Sequence, residues 1–426
     1  MAKQRAAKVE NKYKDKGFGK WLENTGNSVG SEIVTEAIRI MEEQEAKSSN
    51  GAWRGTLAIP PGSFIETLTA NFLKNSSIAP ELPMMAAFSY LSSYLCKNGV
   101  KLSYHGVEEW PTLWLAILAG SGAGKSFTLD YIEEVLGGGV SVLEGTEVPT
   151  AKAFVEKLSE TPNCLFIVDE MGPFFASAKE QGFLAELPTY LLHAFTHKKI
   201  ERRGVKAGEA LIVEEPVINV LGCSAKGSFF EDFDPKHFLT GLAQRFAWIM
   251  IDKDPTPIAT WRVRNEAVVA ETRERWQRVI DGITPNTVYC INDQGRADRA
   301  FETAYTLLNP NDEIPDSFFR RLMHNAAKRY ALIYHILLGK AAVSEIDDED
   351  IAWGVRLAFI HATDTKKILA QANLGRVGLM LKKTEELARR IREKEGRDIT
   401  ARDIVRTLNA IKSTSEAKAL LSMLNQ

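Results

Sequence analysis

The sequence predicts an α/β fold, three layers deep, with helices packed on both faces of a parallel sheet. Three observations predict it. Short apolar runs recur along the chain, among them WLAIL at 114–118, CLFIV at 164–168, VINVLG at 217–222 and FAWIMI at 246–251. CLFIV is too short for a buried helix and is flanked by Pro162 and Gly172, which marks a central parallel strand. Amphipathic helical stretches alternate with these runs, and strand, helix, strand in that rhythm gives a parallel sheet.

The bulk numbers agree with a soluble globular protein. At 426 residues the chain exceeds one compact core and predicts roughly two to three domains. It is 45% hydrophobic and 25% charged, an ordinary composition. A formal net charge of -2 excludes a global basic field, so affinity for nucleic acid has to come from local patches. Cys96, Cys164, Cys223 and Cys290 lie far apart without C-x-x-C spacing. They read as buried thiols in a reducing compartment, and a cytoplasmic location is expected. No apolar run reaches membrane-spanning length, and the charged N-terminus lacks a signal-peptide core, so neither secretion nor a membrane partner is expected.

In chain order, four segments are expected. Residues 1–54 hold a lysine-rich arm and a short amphipathic helix at 31–47. Residues 55–255 form the α/β core, with a helical lead-in from Ser63 to Val100 that runs into the first core strand. VSVLEG at 140–145 is its second strand, and AKAFVEKLSE follows as a helix capped by Thr150. After CLFIV come a helix (LAELPTYLLHAFTH), two strands around a turn near Gly204 to Gly208, the strand PVINVLGCS and the strand RFAWIMID. Residues 256–374 are nearly all helical in pattern and form a separate lid-like domain. Residues 375–426 read as three helices, with Thr400 capping the second, in a helix-turn-helix-like unit.

The chemistry starts at the first core strand. The run 113–118 stops at AGSGAGKS, residues 119–126, and a helical pattern follows at once. This is G-x-x-x-x-G-K-[ST] with Ala119 in the first glycine's place. Glycines permit a turn that aims backbone N–H groups at one point, and a helix N-terminus adds partial positive charge there. Gly120, Ser121, Gly122, Ala123, Gly124, Lys125, Ser126 and Phe127 are therefore the expected nucleotide contacts. Lys125 reaches the terminal phosphates, and the Ser126 hydroxyl helps to hold a magnesium ion. Asp169, at the tip of CLFIV, is the second expected magnesium ligand, and Glu170 the group that polarises attacking water. Together these residues predict a P-loop NTPase.

Less specific signals follow. Ser224, after the fourth core strand, is placed to touch the γ-phosphate or the water, with Asn219 as an alternative and a turn or capping hydroxyl as the plain structural role. Arg245 in GLAQRF lies at the rim before the fifth strand, positioned to enter a neighbouring subunit's site; a surface arginine at a helix end is the alternative. Lys198, Lys199, Arg202, Arg203 and Lys206 form a basic hairpin suited to nucleic-acid phosphates or simply to water. Arg320, Arg321 and Arg329 are candidates for a second phosphate sensor, against a helix-surface role. The histidines show no ligand spacing.

AGSGAGKS, CLFIVDE, PVINVLGCS and GLAQRF, in this order and with helices afterwards, resemble an AAA+-type ATPase core. Over about 55–370 the chain is similar to uncharacterised and primase-helicase-associated ATPases of phages, plasmids and other mobile elements. The resemblance implies ATP and Mg2+ as cofactors and a replicative DNA helicase or translocase acting as a homo-oligomeric ring, a hexamer. It also implies single-stranded or forked DNA as partner and Arg245 as a finger acting in trans. No primase module or zinc-binding Cys/His set is present in this sequence, so any priming belongs to another protein or to a missing part. The alternatives are an ATP-switched initiator or helicase loader that does not unwind DNA, and a phage-defence NTPase.

Overall fold

The computed structural model describes residues 58–76, 78–177, 186–203, 210–233, 242–251, 265–291, 294–308, 320, 322, 326–408, 411, 414, 417, 418 and 421. The expected N-terminal arm and its helix, Lys206 and Arg321 lie outside them. The chain divides into two compact units, Met1–Lys366 and Lys367–Gln426.

The first unit begins with α1 (Phe64–Ser76) and α2 (Glu81–Lys97), followed by a hairpin of β1 (Lys101–Tyr104) and β2 (Val107–Glu109). The helical lead-in therefore does not run straight into the core sheet. The core follows: β3 (Trp114–Ala119), α3 (Lys125–Leu136), β4 (Val142–Glu144), α4 (Ala151–Glu160), β5 (Asn163–Val168), α5 (Met171–Ser177) and α6 (Leu187–Phe195). It continues with β6 (Ile200–Arg203), β7 (Ala210–Val213), β8 (Val217–Ala225), α7 (Lys226–Asp232) and β9 (Ala247–Met250). Beyond it come α8 (Glu266–Asp281), β10 (Val288–Ile291), α9 (Gln294–Leu308), α10 (Ala327–Leu337), β11 (Glu345–Ile346) and the start of α11 (Asp348–Glu395).

The central sheet has the order β4-β5-β8-β3-β9, and every neighbouring pair is parallel. All six residues of β3 are buried, as are the first eight of β8, which is what a strand covered on both faces requires. Two residues of β8 identify the two covers. Asn219 accepts a hydrogen bond from the Leu113 amide at 2.7 Å and lies 2.5 Å from Ser92 Oγ of α2. Gly222 points to the opposite face by strand alternation, and a Cβ there would stand 2.2 Å from Met171 Sδ of α5. Helices thus cover both sides of a parallel sheet.

Beneath the α5 face lies an aromatic cluster. Phe229 stacks on Phe233 at 4.6 Å and meets Trp248 at 5.4 Å, while Phe175 stacks on Trp248 at 6.0 Å. Phe175, Phe229 and Trp248 are fully buried. Burying each such side chain contributes roughly 1.5–3 kcal/mol, which anchors the short helices α5 and α7 to the sheet.

β9 is an edge strand, and α11 satisfies its outward groups. His361 Nδ1 lies 2.9 Å from Trp248 O, and the Met250 amide donates to Asp364 at 3.0 Å. His361 Nε2 faces the Tyr330 hydroxyl at 2.8 Å. Two side chains one helical turn apart thus replace a missing neighbouring strand.

Residues 261–372 are not wholly helical. β10 pairs in parallel with β1 and with β11, making a second sheet in the order β11-β10-β1-β2. VYCI is short, and its partner β1 lies far away in the sequence, so local pattern gives little hint of it. These elements pack in the same unit as the central sheet.

In the second unit the first helix is the continuation of α11, which runs without a break through residue 375 to Glu395. α12 (Ala401–Thr407) follows. Thr400 and Asp403 form a reciprocal capping box, as the Thr400 cap predicts. Arg397 clamps the Asp403 carboxylate at 2.8 and 3.0 Å. Ile404, Ile411 and Ala417 form a small core, with Ile399, Val405 and Leu421 packed against it.

Candidate functional site

Parallel strands of one sheet deliver their loops to a common edge, and here that edge carries the glycine loop, the acid pair and Ser224. Gly120–Gly124 joins β3 to α3. Gly122 and Gly124 hold φ of 78° and 86°, a region that favours glycine. A side chain at Gly122 would meet nothing within 4 Å, so backbone conformation, not crowding, calls for glycine there. The Thr128 amide and hydroxyl both donate to Gly124 O, at 2.9 and 2.8 Å, and pin the first helical turn. Among the described residues no side chain caps α3, and its first turn carries no acid. The dipole at this helix start favours an anion.

Ser121, Gly122 and Ser126 are exposed; Gly120, Ala123 and Lys125 are half-buried. Phe127 packs against Phe72 of α1 at 6.4 Å and Tyr131 at 6.5 Å. Asp169 and Glu170 follow β5 and are exposed. β8 lies between β5 and β3, so the acids and the glycine loop flank its end. There Ser224 Oγ donates to Glu170 Oε2 at 2.9 Å. Ser224 is itself fully buried, so its hydroxyl orients the carboxylate from below.

The electrostatics confirm the gathering. Burial pushes the Cys223 thiol up to about 12, Asp169 and Glu170 push the same way, and Lys125 pulls against them. All three charges therefore act at one point on β8. At the tip of β4, burial raises the Glu144 pKa, and Glu133, Glu147, Asp169 and Asp130 add to the rise. The rim beside Asp169 is thus rich in negative charge, which favours a cation. Among the described residues no three His, Cys, Asp or Glu side chains converge as a metal cage. Magnesium needs none: a hydroxyl, a carboxylate and phosphate oxygens are the hard ligands it takes, and Ser126 and Asp169 fit that set.

Arg245 ends a 3-10 turn, Ala243–Arg245, rather than a helix, at the opposite end of the sheet. Ala247 pairs with Leu115, so Arg245 stands about 20 Å from its own glycine loop at roughly 3.3 Å per residue. Its guanidinium lies over Phe195 at 5.3 Å, and Arg329 approaches the same ring at 5.7 Å.

Arg329 does not belong with the phosphate-sensing candidates. It is buried at the same far end, donating to Thr112 O at 2.7 Å and pairing with Glu109 at 3.3 Å. Arg320 lies over Tyr305 at 5.3 Å. Asn219 is likewise committed, since its carboxamide ties Leu113 and Ser92 together inside the core.

The basic hairpin is present as antiparallel β6 and β7. Its cations are partly matched: Lys199 pairs with Glu214 at 3.2 Å and Arg202 with Glu186 at 2.9 Å. Lys198 is exposed, and Arg203 pairs in register with Ala210. Sequence reasoning missed Lys226, which opens α7 and donates to Ile251 O at 2.7 Å. Its only signal in the sequence is a position just beyond a strand end.

No family model matches the chain, and no curated protein matches it. Among the described residues no helix is long and apolar enough to cross a membrane.

Proposed function

We propose that the chain is a P-loop ATPase of AAA+ type that hydrolyses ATP to drive a DNA helicase or translocase in the replication of a mobile element. One observation carries the hydrolase part: Glu170 is held by Ser224 at the end of a strand that borders β3 and its glycine loop. The sheet order, with the acid strand separated from the loop strand by one strand, supports the same reading.

In this mechanism the Gly120–Ser126 amides and Lys125 bind the phosphates. Ser126 and Asp169 would hold a magnesium ion, which would supply positive charge to offset that of the phosphates. Glu170, oriented by Ser224, accepts a hydrogen bond from the attacking water and directs it at the γ-phosphorus. Arg245 is too far away to serve its own site, so its role as a cation on the transferring phosphoryl requires a second copy of the chain in a ring. Turnover of ATP by the purified chain tests the proposal, with Glu170→Gln expected to keep nucleotide affinity and lose at least 100-fold in kcat. Unchanged turnover in that variant removes Glu170 from the mechanism.

A second reading is an ATP-switched DNA-binding protein without unwinding activity. The pairing of Lys199 and Arg202 with acids favours it, because cations already neutralised grip a moving strand less well. Strand separation on forked DNA, measured with and without ATP, decides between them.

A further inference from the structure

Lys226 is a cation that the catalytic scheme above leaves unused. In the β3–β8 register Ala225 lies opposite Ala119, so Lys226 comes level with Gly120, the first residue of the glycine loop. Its ammonium reaches past that point to the Ile251 carbonyl, 2.7 Å away at the end of β9. The Ile251 amide donates to Leu118 O at 2.9 Å. In a parallel ladder the N–H and C=O of one residue face the same neighbour, so the Ile251 carbonyl faces the β3 chain at the level of Gly120. The side chain thus spans from β8 across the end of β3 to β9. The ammonium sits at the root of the glycine loop.

An ammonium has three donors, and the Ile251 carbonyl takes one. Among the described residues Lys226 meets no carboxylate, although acids crowd the other side of the same edge around Asp169 and Glu144. The residue is half-buried. A cation partly withdrawn from water without a counter-charge is unfavourable unless a ligand supplies one. The glycine loop beside it is the place where an anion is expected.

We infer that Lys226 is a second phosphate-binding cation, acting with Lys125 on the polyphosphate of the nucleotide. The inference rests on the ATP site proposed above. It gives the loop two cations: Lys125 from the first turn of α3, and Lys226 from the start of α7, just past β8. It also ties the end of edge strand β9 to the loop through the Ile251 carbonyl.

The test compares affinity for ATP and AMP, by titration calorimetry with magnesium present, in the wild-type chain, Lys226→Met and Lys226→Arg. A phosphate contact predicts about a tenfold weaker affinity for ATP in Lys226→Met, less than about threefold for AMP, and most of the ATP affinity restored in Lys226→Arg. Equal losses for the two nucleotides, or no loss, overturn the assignment and leave Lys226 a strut between strands. A second measurement needs only the wild type: acetylation of Lys226 by an amine-reactive reagent, followed by mass spectrometry. ATP is expected to protect Lys226 at least fivefold more than AMP does, and equal protection overturns the inference. A wild-type chain that binds no ATP refutes the nucleotide site itself, an outcome distinct from ATP binding that is indifferent to Lys226.

Discussion

Acid should weaken this fold through one buried imidazole. His361 is fully buried, and burial drives its pKa down to about 4, against a small opposing contribution from its hydrogen bond to Trp248 O. The neutral ring donates from Nδ1 to Trp248 O and accepts the Tyr330 hydroxyl at Nε2, so a proton on Nε2 would displace Tyr330. The unfolded chain takes up that proton near pH 6.5, whereas the folded chain resists it down to about pH 4. Between those values the unfolded state binds more protons, so stability falls as pH falls and is complete only above about 6.5. The span from 6.5 to about 4 corresponds to roughly 3 kcal/mol at 1.36 kcal/mol per pH step, most of it lost by about pH 4.5. Urea unfolding at a series of pH values, for the wild type and for His361→Gln, isolates the term because the other groups are common to both proteins. The variant is expected to be less stable at pH 7, and the gap should close by roughly 2–3 kcal/mol on acidification. A gap that stays constant from pH 7 to pH 4.5 would show that His361 is not held neutral between β9 and α10.

Gly222→Ala places a methyl against Met171 Sδ in a fully buried site and is expected to cost about 1–3 kcal/mol. Because Met171 adjoins Glu170, ATP turnover should fall as well, and Met171→Ala in the same chain should recover part of both losses; thermal melts and initial rates check this. In the second unit, Thr400→Ala removes one half of the capping box and is expected to cost about 1 kcal/mol. Hydrogen exchange at the Asp403 and Ile404 amides should then quicken about fivefold, while exchange in β3 stays unchanged.

The parts of the fold visible in the sequence are those with a strong local period or a fixed turn chemistry. β3, β5 and β8 are buried on both faces and so stand out as apolar runs, and Thr400 and Thr150 mark helix starts by their hydroxyls. The hidden parts depend on distant partners. β10 pairs with β1 across most of the unit, and its VYCI run is too short to be told from its helical surroundings. The site was legible in the same way. The glycine loop and acid pair are local motifs, and Ser224 was visible only as a polar residue at a strand end until its bond to Glu170 gave it a role. Residue type alone could not rank Asn219, Arg329 and Lys226, because Asn219 and Lys226 each carry a polar group near a strand end and Arg329 reads as one more helix arginine. Which end of the sheet it stands at, and whether its partners are already taken, decides the matter.

The most direct test of the nucleotide site is a calorimetric titration of the wild-type chain and Lys125→Met with ATP and magnesium. Wild-type binding in the micromolar range, weakened at least 100-fold in Lys125→Met while the melting temperature stays within a few degrees, is the expected result. Equal affinity in the two proteins, or no binding by the wild type, would contradict a triphosphate held at Gly120–Ser126.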